Sequence, residues 1–319
     1  MIFSVSVVNY TGDVLTIDLR HPEQSGFVIR SIDGLGPVKA NINTTAVTTG
    51  DGSVYNSARL NERNIVFNIS PIDGVIEGET EYSSVEDNRL KLYKYFPLKQ
   101  KVTLYFQTEN RFAYIEGYTE TNDPSIFSQE VIQTVSVICP YPYFYDASDK
   151  GTATTSFAGV DAWFEFPTEP LSDDRDFNDM SDTMVEFGQI IAKKSNNVPY
   201  YGDANVGIIM RLHAIGTVEN IRIYNVNTRE RMIIDTDKLE ALTGYKMIAA
   251  DDIIISTLQG EKSITLYRNG EYVNILSCLN RGADWFQLSK GDNVFMFAAE
   301  SGESNLQFTV TNQVIFEGI

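Results

Sequence analysis

The run from Ser172 to Asp182 is the first stretch whose residue types and spacing suggest chemistry. Asp174, Asp176, Asn178 and Asp182 fall at the first, third, fifth and ninth positions of a calcium-binding loop. The pattern then breaks. Its sixth position, where a glycine makes the bend, is Asp179, and its twelfth, where a bidentate glutamate belongs, is Val185, with Glu186 one place late. A solvated acidic loop is the better reading, and no metal or other cofactor is expected. His21 lies in a polar stretch and His213 on the polar face of an alternating run. Neither accompanies a Gly-x-Ser-x-Gly elbow or a papain-like cysteine context, so no nucleophilic triad is expected. A P-loop and a dinucleotide fingerprint are both missing from the sequence. Acidity alone does not make a carboxylate pair for glycoside hydrolysis, so the chain is not read as an enzyme. Trp163 and Trp285 have the faces to stack on sugars, and Arg211 shares a strand face with His213. Trp285, Arg211 and His213 are therefore the candidate glycan contacts, against a default of tryptophans in a core or interface.

Composition bounds what these residues are for. At 319 residues with 43% hydrophobic side chains, the chain is long enough for two domains that each bury a core. Acidic side chains outnumber basic ones by 43 to 25, a formal net charge of -18. Such a surface repels phosphate backbones and anionic lipid, which argues against nucleic-acid binding as the main activity. The two cysteines, Cys139 and Cys278, fall in different predicted domains and read as free buried thiols made in a reducing cytosol, with an interdomain bridge as the alternative. No cationic start precedes an apolar run, and no window approaches the length of a membrane span, so neither an export signal nor membrane insertion is expected.

The elements are mainly β. Seventeen tyrosines, eighteen phenylalanines and many β-branched residues fit short strands. Phe3–Val8 and Val14–Leu19 read as a hairpin turned at Gly12 and Asp13. Phe27–Ile32 is a strand, Asp33–Pro37 a sharp bend, Val38–Val47 an extended segment and Thr48–Asn56 a flexible arm or loop tip. Asn64–Ile69 is again a strand, with Arg59 and Arg63 just before it. From Val85 the apolar spacing predicts a helix that Ser84 and Asp87 cap and Pro97 ends. Val102, Leu104 and Phe106 then alternate with Thr103, Tyr105 and Gln107, the period of a strand buried on one face. Pro140 and Pro142 break the pattern in a stiff exit ending at Phe144. The tract 145–205 is irregular linker, and 206–319 carries many short strands with turn signals, among which Asn269-Gly270 is a type I′ hairpin turn. In the Gly207–Ile215 strand, Met210, Leu212 and Ala214 share one face and Arg211 and His213 the other.

Several phrases in order resemble the distal tail protein family of long-tailed, non-contractile bacteriophages. They are Leu90–Pro97, Val102–Phe106, Asn110–Tyr118 and Ile138–Phe144, preceded by Ile32–Pro37, Asp51–Arg59 and Arg63–Phe67. In the second half they are Gly216–Asn225, Gly260–Gly270 and Asp284–Asn293. The phrases span nearly the whole chain; the tract from about 145 to 205 matches least and reads as a lineage-specific insertion. The resemblance implies a β-rich ring-forming belt domain over 1–144, whose copies assemble side by side into a hexamer, and a galectin-like β-sandwich within 145–319. Galectins that bind galactosides use a histidine, asparagine and arginine set with a tryptophan, and the spacing around Arg211 and His213 does not reproduce it. What the resemblance implies of function is a structural hub at the distal tip of the virion tail, synthesised in the host cytoplasm. Its partners would be the tail tube protein, the tail-associated protein or tail-tip spike, and receptor-binding or other baseplate proteins. Thr44, Tyr55, Arg59 and Arg63 are the candidate ring contacts. The alternative is a carbohydrate-binding adhesion module that touches the host cell wall.

Overall fold

The computed structural model describes residues 1–48, 50–75, 82–125, 130–160, 190–192 and 195–319. The acidic run Ser172–Asp182, with its calcium-loop reading, and Trp163 lie outside the described residues. The chain is mainly β and divides into two compact units. One comprises Met1–Thr152, Gly202–Ala204 and Gln313–Ile319; the other comprises Ala153–Tyr201 and Asn205–Asn312. The first unit thus runs past the expected exit at Phe144, and Gln313–Ile319, expected in the second domain, cluster with the first. Among the described residues no group of three or more His, Cys, Asp or Glu side chains is placed to hold a metal ion, and no helix is long and apolar enough to cross a membrane.

In the first unit β1 (Ile2–Val8) and β2 (Val14–Asp18) form the predicted hairpin, pairing Val5 with Ile17 and Val7 with Leu15. A short helix, α1 (Pro22–Ser25), leads to β3 (Phe27–Asp33). Next come β4 (Ala40–Ala46) and β5 (Ser53–Leu60), which pair with each other, and β6 (Arg63–Pro71). The two-residue strands β7 (Gly74–Val75) and β8 (Tyr82–Ser83) precede helix α2 (Val85–Tyr95). Then follow β9 (Lys101–Thr108), β10 (Phe112–Pro124), β11 (Gln133–Cys139) and β12 (Phe144–Asp146). The sheet order is β2-β1-β9-β10-β11-β6-β3, with β12 joined to β10 and to a strand at Ile315–Phe316.

The period of two decides what this sheet buries. Val5, Val7, Ile65, Phe67, Val102, Leu104, Phe106, Val135 and Val137 all point to one face and are buried. The Phe67 ring stacks on Phe106 at 6.2 Å and meets Phe96, just past α2, at 5.8 Å. Each such ring contributes about 1.5–3 kcal/mol by leaving water. Helix α2 starts on the predicted box: the Ser84 hydroxyl accepts from the Asp87 amide, and the Asp87 carboxylate accepts from the Ser84 amide. Its buried residues are Asn88 and Leu92, whereas Leu90 and Tyr93 are exposed. Asn88 instead ties the helix down, accepting from the Ser83 hydroxyl and donating to the Ile72 carbonyl.

The second unit begins with β13 (Thr152–Ser156), β14 (Ala158–Val160), β15 (Ile190–Ala192), β16 (Ser195–Tyr200) and β17 (Val206–Ala214). It continues with β18 (Ile221–Asn225), β19 (Arg231–Ile234), helix α3 (Thr236–Thr243), β20 (Asp252–Ser256), β21 (Ser263–Arg268) and β22 (Glu271–Asn274). It closes with β23 (Gln287–Leu288), β24 (Gly291–Ala298) and β25 (Leu306–Gln313), after which Ile315–Phe316 is β26. One sheet runs β13-β25-β17-β20-β21-β22, and the other runs β16-β24-β18-β19. Phe297 of β24 lies 5.8 Å from Phe308 of β25, and Phe157 lies 4.6 Å from Phe308, so the two sheets meet face to face over one aromatic core. The predicted Asn269-Gly270 turn has φ of +53° and +87° at its two central residues, with Arg268 opposite Glu271.

Candidate assembly surface

The β4–β5 hairpin departs from the reading of Thr48–Asn56 as a flexible tip: Ser53–Leu60 is a full strand. Every residue of β4 is exposed, and so is every residue of β5 except the half-buried Leu60. Opposed residues share a face, which sorts the ribbon cleanly. Ala40, Ile42, Thr44 and Ala46 oppose Leu60, Ala58, Tyr55 and Ser53, and this face is largely apolar. Asn41, Asn43 and Thr45 oppose Arg59, Ser57 and Val54 on the polar face, where Asn56 also donates to Thr45. Ile42 is 60% exposed and Tyr55 62%. An isolated two-stranded hairpin is marginal in water, and one with a bare apolar face still has burial to gain.

Charge distinguishes this ribbon from the rest of the chain. Between positions 38 and 62 the cations Lys39 and Arg59 offset the anions Asp51 and Glu62, so the stretch is formally neutral in a chain of -18. Two copies meeting along it would not bring like charges together. Three of the four predicted contacts, Thr44, Tyr55 and Arg59, lie on the ribbon.

Arg63, the fourth, does not belong to that surface. Its side chain is buried, 2% exposed, at the ribbon's root. Nε donates to the Pro142 carbonyl at 2.7 Å, Nη1 to Gly34 at 2.5 Å and Gly36 at 2.6 Å, and Nη2 to Glu317 at 2.7 Å. The guanidinium also lies 4.4 Å over the Phe144 ring. Burial pushes its pKa down, yet a guanidinium stays charged, and four carbonyl dipoles carry that charge.

In the second unit Arg211 and His213 come together on Asp252, which sequence reasoning did not single out. Arg211 donates from Nε at 3.0 Å and Nη2 at 2.7 Å, and His213 Nδ1 lies 2.8 Å from the same carboxylate. A carboxylate only accepts, so Nδ1 carries the proton. Burial pushes the Asp252 carboxyl up, but the hydrogen bonds from Arg211 and His213 outweigh it and hold the pKa below the ordinary value. Trp285 is found elsewhere: Lys262 lies 5.4 Å over its ring, and Lys262 follows the end of β20 remote from Asp252. The signal for the anchor was Asp251-Asp252 directly before the apolar Ile253–Ile255. A charged pair entering a buried strand must be matched, and Arg268 matches Asp251 from Nε at 2.8 Å and Nη2 at 2.5 Å.

Cys139 and Cys278 are both free, both buried and in different units. Burial pushes the Cys139 thiol up to about 12 and raises that of Cys278. The thiolate is the reactive form, so a disulfide reagent at neutral pH should label neither cysteine in the folded chain and both in guanidinium. Stoichiometric labelling within seconds under native conditions would contradict this.

No family model matches the chain, and no curated protein matches it. Among solved structures, the fold is similar to that of the SPP1 Dit (gp 19.1) protein, described as a paradigm of hub adsorption apparatus in phages that infect Gram-positive hosts. That match has a TM-score of 0.59 at 12% identity and covers 97% of this chain and 98% of that one. A chain of the phage P2 baseplate, in its activated conformation with Ca, is similar over 98% of both chains at 10% identity, with a TM-score of 0.42. The SPP1 match, which covers 97% of this chain, bears out the resemblance drawn from the sequence at the level of the fold.

Proposed function

We propose that this chain is a distal tail protein, a structural hub of a phage tail or baseplate without catalytic chemistry of its own. The observation that carries the reading is the end-to-end likeness of fold to the SPP1 hub protein. A ribbon that is neutral, amphipathic and uncovered in the single chain supports it, because such a face gains burial by meeting another copy. In this reading first units join into a hexameric ring at the distal end of the tail, with Ile42, Thr44 and Tyr55 of the apolar face among the contacts and Arg59 on the opposite face. One face of the ring meets the tail tube protein and the other the tail-associated protein or tip spike. The second units, galectin-like sandwiches, hold receptor-binding or other baseplate proteins. The net charge of -18 suits a channel that does not retain passing nucleic acid. The test is immunogold labelling of intact virions with antibody raised against the purified chain. Gold confined to the tail tip is expected; labelling along the tube, on the head or nowhere would overturn the proposal.

A further inference from the structure

Among the described residues both faces of the ribbon are exposed, so its direction is set at its root. The seven residues of β4 span about 23 Å at a strand's rise, so a 15° swing at the root carries the tip about 6 Å. An error of that size would lose an interface packed at atomic contact.

The root is built against the segment Gln313–Ile319. Gly34 enters it at φ +89°, with the Asn64 carbonyl 2.0 Å from where a Cβ would stand, so only glycine fits. The Leu35 carbonyl accepts from the Ile319 amide at 3.2 Å. At Gly318 a Cβ would lie 3.0 Å from that same carbonyl and 3.3 Å from both Gly36 and Pro37. Arg63 joins the two segments, holding Gly34 and Gly36 of the root with one nitrogen and Glu317 with another. The segment has its own anchor in Arg111, which donates to the Gly318 carbonyl at 2.5 Å, pairs with Asp203 at 3.0 Å and lies 4.3 Å over the Phe316 ring.

We infer that Gln313–Ile319 is a brace that, through Arg63 and the Leu35 carbonyl, fixes the direction of the β4–β5 ribbon and so preorganises it for a neighbouring copy. Arg63 and Arg111 are positioning residues in this scheme, and neither needs to touch the partner. The part concerning a neighbouring copy rests on the reading of the ribbon as the surface between copies. Preorganisation of this kind raises affinity by removing an ordering cost from the encounter.

The test uses the whole chain carrying Arg111→Gln or Gly318→Val. Arg111→Gln changes contacts of the segment and none of the root; Gly318→Val wedges the two apart without removing Arg63. Amide hydrogen exchange is read at dilutions where the chain is monomeric, with β17 of the second unit as an internal control. In both variants exchange across Leu35–Leu60 should rise about tenfold or more, with β17 unchanged. Sedimentation should show self-association weakened beside the native chain. Faster exchange at Ile315–Ile319 with native exchange across the ribbon in both variants would overturn the brace. If ribbon exchange rises as expected but neither these variants nor Ile42→Ser with Tyr55→Ser alters self-association, the brace stands and the reading of the ribbon as an interface falls.

Discussion

Arg63→Ala should destabilise the first unit by about 3–5 kcal/mol, a large fraction of what holds a domain together. The native side chain, itself 2% exposed, satisfies the carbonyls of Gly34, Gly36, Pro142 and Glu317 in a part-buried site. Alanine removes every one of these donors together with the stacking on the Phe144 ring. A part-buried acceptor that loses its partner costs toward the lower end of the about 1–3 kcal/mol of a fully buried one, and relaxation keeps the total below the simple sum. Arg63→Lys should recover part of the loss, since an ammonium brings only three donors and lacks the planar fork. Calorimetry should show the transition of the first unit moved down by about 10 °C or more, with the sandwich melting as before. A native melting profile for Arg63→Ala would mean that the arginine is a passenger.

The ribbon should respond in the opposite way. Ile42→Ser combined with Tyr55→Ser should leave the melting of the monomer within about 0.5 kcal/mol of native, because both side chains stand mostly in water already. Self-association should weaken by roughly a hundredfold or more, the equivalent of about 3 kcal/mol from two apolar anchors that no longer gain burial. Thr45→Ala on the polar face is the matched control and should cost little. Equal association of the native and doubly substituted chains in sedimentation equilibrium would remove the ribbon from the assembly.

Local chemistry made much of this fold legible. Ser84, Asp87 and Pro97 bracketed α2 because capping and helix termination act within a few residues, and Asn269-Gly270 marked its turn because the required positive φ is a property of those two residues. Strand β5 was not legible. Alternation is the mark of a strand with one face in a core, whereas Ser53–Leu60 has both faces in water. Arg63 was misassigned for a different reason: its acceptors stand 29 residues before it and as far as 254 after it. Nothing in the neighbourhood of an arginine announces that kind of burial. The return of Gln313–Ile319 to the first unit was hidden likewise, since Gln313–Phe316 reads as one more strand of the sandwich just traversed. Of the glycan candidates, Arg211 and His213 were correctly placed side by side on a polar strand face, but Asp252, which fixes both, comes from a strand about 40 residues on.

Single-particle imaging of the assembled protein, either alone or on purified tail tubes, tests the central claim most directly. The expected density is a six-fold ring of first units in which each β4–β5 ribbon lies with Ile42 and Tyr55 against the adjoining copy. A closed ring whose ribbons stand free in solvent would contradict it, as would a particle held together through the sandwiches alone.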